Sequence, residues 1–110
     1  MSYDPDLLGR LRDWFAERGV TDERRMFGGV AFLADGRMAA AASSKGGLML
    51  RCEPGETAAL LEKPGVEPVV MRGREMRGWL HVSPEAIDGE ADLESWLERA
   101  LAHVQSLPTS

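Results

Sequence analysis

The sequence holds one cysteine, Cys52, so no disulfide can form within the chain, which suits a reducing compartment. No apolar run approaches the length that spans a bilayer. The N-terminus, Met-Ser-Tyr-Asp-Pro-Asp, lacks the basic start and apolar core of a secretory leader. The expectation is a cytoplasmic protein without a membrane anchor. Positive charge is also scarce: Lys and Arg number 13 against 18 Asp and Glu, for a net charge of −5. General nucleic-acid packaging calls for the opposite sign, though a local basic patch stays open. There are two histidines, His81 and His103, and neither has metal-ligand spacing to Cys52 or to a carboxylate pair. Gly28-Gly29 lacks a following Gly-Lys-Ser/Thr, which excludes a phosphate-binding loop. No cofactor and no metal are expected.

What is present is enough for one domain: 110 residues, 44% hydrophobic and 28% charged. Asp4-Pro5 is a helix start, a capping carboxylate followed by proline at the first helical position. Leu7, Leu8, Leu11, Trp14 and Phe15 then form an apolar stripe, and Gly19 stops the helix. Thr21 to Arg25 is polar and scans as linker. Met26 to Leu33 looks like strand at its ends, with Gly28-Gly29 inside it marking a bulge or a close backbone approach. Asp35-Gly36 predicts a tight hairpin, with Arg37 to Ala42 as the return strand. So much alanine in one strand predicts something bulky close over it. Leu48 to Cys52 is a third strand, with Leu48, Leu50 and Cys52 on one face and Met49 and Arg51 on the other. Pro54 opens a short helix with Ala58, Leu60 and Leu61 as its apolar side. Ser83-Pro84 leads through a helical turn to Asp88-Gly89. Leu93, Trp96, Leu97, Ala100, Leu101 and Val104 mark a final amphipathic helix closed by Pro108.

Between the last two helices lies Val69 to Val82, the densest positive charge in the chain. Val69–Met71 and Arg77–Val82 have strand character, with Gly73 at the reversal. This predicts an antiparallel pair at the centre of a small sheet, with Arg72, Arg74 and Arg77 near its turn. The order is α-β-β-β-α-β-β-α, and tight turns make the sheet largely antiparallel. The fold class is α+β with two layers.

Two motifs stand together: Arg25-Met26-Phe27-Gly28-Gly29 ahead of the Asp35-Gly36 hairpin, and Met71-Arg72-Gly73-Arg74-Glu75-Met76-Arg77-Gly78-Trp79. With the order of elements, they resemble the N-terminal domain of the TfoX/Sxy family, bacterial proteins tied to regulation of natural competence. The resemblance runs from about Leu7 to Pro108. It implies a single TfoX N-terminal-like domain over residues 1–110, with a fold similar to the YgaC/TfoX-N and type III secretion chaperone folds. Such folds often dimerise and act by holding partners. The better-known TfoX regulators carry a further helical domain, which is not expected here, so a competence role is not carried over. The resemblance supplies no catalytic residues.

Arg24, Arg25, Arg72, Arg74 and Arg77 are the candidate binding residues for phosphate or an acidic partner. Alternatively they are solvated turn residues paired with Glu75, Glu67 and nearby acids. Trp79 alternates with Leu80 and Val82, so it is either a partner-facing anchor or packed beneath a helix. Cys52 behaves as a buried structural cysteine unless His81 reaches it. Met26, Met38, Met49, Met71 and Met76 are core filler or a binding groove. The leading expectation is a non-enzymatic protein-interaction or regulatory module that forms a homodimer and holds an unknown protein partner. The alternatives are a transcription accessory contacting nucleic acid through the arginines, and an enzyme or small-ligand binder near Cys52, His81 and Glu75.

Overall fold

The computed structural model describes residues 3–26 and 28–107, with Met71 described by its backbone alone. The first helix, α1 (Pro5–Ala16), starts where the Asp4 carboxylate accepts a hydrogen bond from the Asp6 amide at 2.9 Å. Its stripe of Leu7, Leu8, Leu11, Trp14 and Phe15 is buried, and Gly19 ends it in the left-handed region. The last helix, α3 (Glu90–Ser106), buries Leu93, Trp96, Leu97, Ala100, Leu101 and Val104. These are the six positions that the 3.6-residue period selects. Pro108 lies outside the described residues. Between the helices run six strands: β1 (Asp22–Met26), β2 (Gly29–Ala34), β3 (Arg37–Ala42), β4 (Leu48–Arg51), β5 (Val66–Met71) and β6 (Arg74–Val82). A 3₁₀ turn, Pro54–Glu56, opens the short helix α2 (Thr57–Leu60). There Thr57 and Leu60 are buried and Ala58 is exposed, so the expected apolar side is turned by one residue.

The strands form one antiparallel sheet in the order β1-β2-β3-β4-β6-β5. The architecture is α+β in two layers, with one strand more than the sequence suggests. The extra strand is β1, which occupies the stretch expected to be linker. Asp22 to Arg25 are all exposed, so no apolar alternation marks them. Their backbone is held by β2 alone, from Asp22 opposite Leu33 to Met26 opposite Gly29. Gly28-Gly29 accordingly belongs to the reversal between β1 and β2 and does not form a bulge within one strand. A Cβ on Gly29 would strike the Ala42 carbonyl, so that position needs glycine for space. The Asp35-Gly36 hairpin has both residues at positive φ, 53° and 78°, as a type I′ turn requires.

The β5–β6 pair is not at the centre of the sheet. β6 is paired on both sides, and β5 is the outer strand. Pro68, which has no amide hydrogen to give, is tolerated in β5 because one side of an edge strand stays unpaired. Both strands are longer than the expected Val69–Met71 and Arg77–Val82. Arg72 and Gly73 form the turn between them, with φ of 54° and 77°.

The helices cover one face of the sheet. The main core there joins α1 and α3 to Val30, Phe32, Ala40, Ala42, Leu48, Leu50, Leu80 and Val82. Phe15 stacks on Phe32 at 5.0 Å between ring centres. α3 packs on β3, β4 and β2, and the alanines of β3 give it close approach. Arg10 of α1 donates to the Ile87 carbonyl at 3.0 Å, tying the first helix to the turn ahead of the last. The opposite face carries a second, smaller cluster. Ala31, Leu33 and Ala41 are buried there under Met26, Met38 and Met49, and among the described residues no helical one joins them.

Candidate functional site

Cross-strand partners share a face of a sheet, so the register traces one row across the helix-free side. It runs Arg24, Ala31, Ala41, Met49, His81, Glu67, one residue from each strand. Small side chains sit in the middle, and opposite charges stand at the two ends. Above the row is a cavity of about 250 Å³ to which all six strands contribute. Ala31 and Ala41 form the floor, Met26, Met38 and Met49 flank it, and Val69 and Val70 close one side. Both edge strands line this one cavity, so the sheet must curve toward its open face. A bulge helps it to do so. Pro68 pairs with Leu80 and Val70 with Glu75. One β5 residue, Val69, therefore spans Met76 to Trp79 of β6, which bends the hairpin.

One end of the cavity is polar. The turn between β3 and β4 brings Ser43, Ser44 and Lys45 to its wall. The His81 Nε2 lies 3.0 Å from the Gly46 carbonyl oxygen. A carbonyl only accepts, so Nε2 carries the proton. Nδ1 makes no hydrogen bond among the described residues. Gly47 makes this arrangement possible. It sits at φ 84°, and a Cβ there would press on the Val82 carbonyl and the His81 ring. The methionines of β1, β3 and β4 are thus not filler of the main core. They face a groove, which is the second of the two roles their positions allowed.

The predicted arginine cluster is divided. Arg24 and Arg25 lie on β1 and Arg72, Arg74 and Arg77 on the β5–β6 hairpin, at opposite edges of the sheet. Arg24 shares the open face with Ala31, whereas Arg25 is opposite Val30 and shares the helix face. All five are exposed, and among the described residues none forms an ion pair, so the expected pairing with Glu75 and Glu67 does not occur. Trp79 is half-buried on the open face, opposite Arg51, whose guanidinium carbon lies 5.5 Å from the ring centre. It is packed under an arginine and not beneath a helix.

Cys52 and His81 do not meet. Cys52 is in phase with Leu48 and Leu50 and is fully buried in the main core, whereas His81 faces the other side of the sheet. The Cys52 Sγ lies 3.8 Å from the Thr57 Oγ1, a hydroxyl that also accepts from the Gly78 amide at 3.1 Å. Burial pushes the thiol pKa up, which disfavours the nucleophilic thiolate. Glu75 is exposed near the hairpin turn. The three side chains proposed for an enzyme or ligand site near Cys52 are therefore not assembled. Sequence reasoning passed over Lys45 and Ser44. Their place in the cavity depends on β4 pairing with β6, which no local pattern reveals.

Among solved structures, the fold is similar to that of a crystal structure of a protein from Pseudomonas syringae. The two share 15% sequence identity, the match covers 84% of this chain and 93% of that one, and the TM-score is 0.60. No curated protein matches the sequence. Residues 13–104, most of the chain, match the TfoX N-terminal domain. The chain belongs to the TfoX N-terminal domain family.

Proposed function

We propose that this domain works by binding a protein partner, without catalysis, and that the open face of the sheet receives an apolar side chain from a peptide segment of that partner. The observation that carries this is the methionine-flanked cavity on a face that no helix covers. A curved face is complementary to a protruding segment and much less so to an equally curved copy of itself. Neither edge favours added strands, since β1 carries Asp22, Glu23, Arg24 and Arg25 and β5 carries Pro68. Methionine side chains reshape at low cost, which suits partners of varied sequence. Any regulatory role connected with competence would operate through such a contact.

Selection from a random-peptide display library tests this. Wild-type protein should enrich peptides with a spaced apolar anchor, and Met49→Asp, which places a charge in the cavity wall, should lose them while keeping its fold. Failure to enrich any peptide, or equal capture by Met49→Asp, would refute the reading. Light scattering on the same samples reads self-association as the competing occupant. The split arginines weaken the nucleic-acid alternative, because two or three exposed arginines at each of two distant edges do not make one continuous track for a phosphate backbone.

A further inference from the structure

We infer that the cavity also takes a small dipolar molecule with an apolar body, of the chemical class of an α-amino acid with an aliphatic or thioether side chain. This rests on reading the cavity as a binding site. Three observations carry it beyond a generic apolar groove.

The first is charge. Lys45 and Glu67 both line the cavity. They form no ion pair with each other or with any described residue, so their charged atoms stand more than 4.0 Å apart. The second is placement. Glu67 is the direct cross-strand partner of His81, and Lys45 precedes Gly46, whose carbonyl holds the His81 Nε2. The cation and the anion therefore flank one imidazole at one end of the cavity. A ligand ammonium can reach Glu67, its carboxylate can reach Lys45 and the Ser44 hydroxyl, and the unused His81 Nδ1 can accept a further N–H. The third is size and lining. The cavity volume of about 250 Å³ lies just under the range of small-molecule pockets, about 300–1,000 Å³, which suits a molecule of amino-acid dimensions. Alanine and methionine then surround the side chain, the latter with polarisable sulfur. A simple anion would be repelled by Glu67 and a simple cation by Lys45. A molecule carrying both charges meets a complement to each.

The bound molecule would occupy the space that a partner's side chain enters, so the two should compete. Titration calorimetry with L-leucine and L-methionine, alongside 4-methylpentanoic acid and isoamylamine, tests the assignment. Binding of the amino acids, with each single-charge analogue weaker by about tenfold or more, is the expected result. Lys45→Met and Glu67→Gln change exposed side chains and should keep the fold by circular dichroism, and each should weaken the amino acids by a similar factor. No binding of either amino acid, or equal binding of the single-charge analogues, would overturn the assignment. The two proposals fail separately. Peptides that enrich on the wild type while amino acids neither bind nor compete would leave the docking face and remove the small ligand. Amino-acid binding with no peptide enrichment would do the reverse.

Discussion

Two glycines show how much the surroundings of one position decide. Gly9 lies inside α1 with nothing within 4 Å of an added Cβ. Gly9→Ala should stabilise the protein by about 0.8–1.0 kcal/mol, the ordinary helix preference for alanine. Gly47 sits at φ 84° against the Val82 carbonyl and the His81 ring. Gly47→Ala should cost about 1–3 kcal/mol for a strained backbone position, and the clash adds to that. Urea denaturation reads both changes, and opposite signs are expected. A nitrogen-detected NMR spectrum of the Gly47 variant should also show the His81 tautomer losing its preference, because the Gly46 carbonyl would be displaced. The composition of the sequence does not separate these two glycines. What separates them is a contact between residues more than 30 positions apart.

Among the elements, legibility followed periodicity. The stripes of α1 and α3 are spaced by the helical turn, and every position they named is buried. Asp35-Gly36 specified its hairpin by local chemistry alone. β1 escaped notice because all four residues from Asp22 to Arg25 are exposed, so its ladder to β2 leaves no mark on side-chain type. Alternation correctly placed Met49 opposite in phase to Leu50, and Trp79 opposite in phase to Leu80. It could not show that β4 and β6 are neighbours, and the candidate cavity depends on that pairing. β6 itself divides at its bulge. Trp79 to Val82 are paired to β4 as well as lying beside β5, whereas Arg74 to Arg77 have no partner on the β4 side. Hydrogen exchange should therefore split one strand in two: slow amides at Leu80 and Val82, fast ones at Arg74 to Arg77. Uniform protection along β6 would show the hairpin end to be as firmly held as the rest.

At the scale of the molecule, the sheet is a partition. One side is a packed core holding the single thiol, and the other is an open groove. Burial raises the Cys52 pKa above its ordinary value of 9.0, so the unfolded chain ionises first as pH rises. The contribution of the protonated thiol is complete below about pH 9 and is lost as pH climbs from there toward the raised native value. Chemical denaturation at intervals above neutrality should show this fall, and Cys52→Ala should flatten it. The partition has a further consequence at high protein concentration. A sheet that shows an apolar face to water is a hazard when its edge lets identical chains stack without limit, which is how fibrils grow. Here growth is closed off at both ends by different means, a run of four charged residues on β1 and a proline in β5. Pro68 is thus a gatekeeper: it lets the groove remain open without turning the protein into the first layer of a fibre.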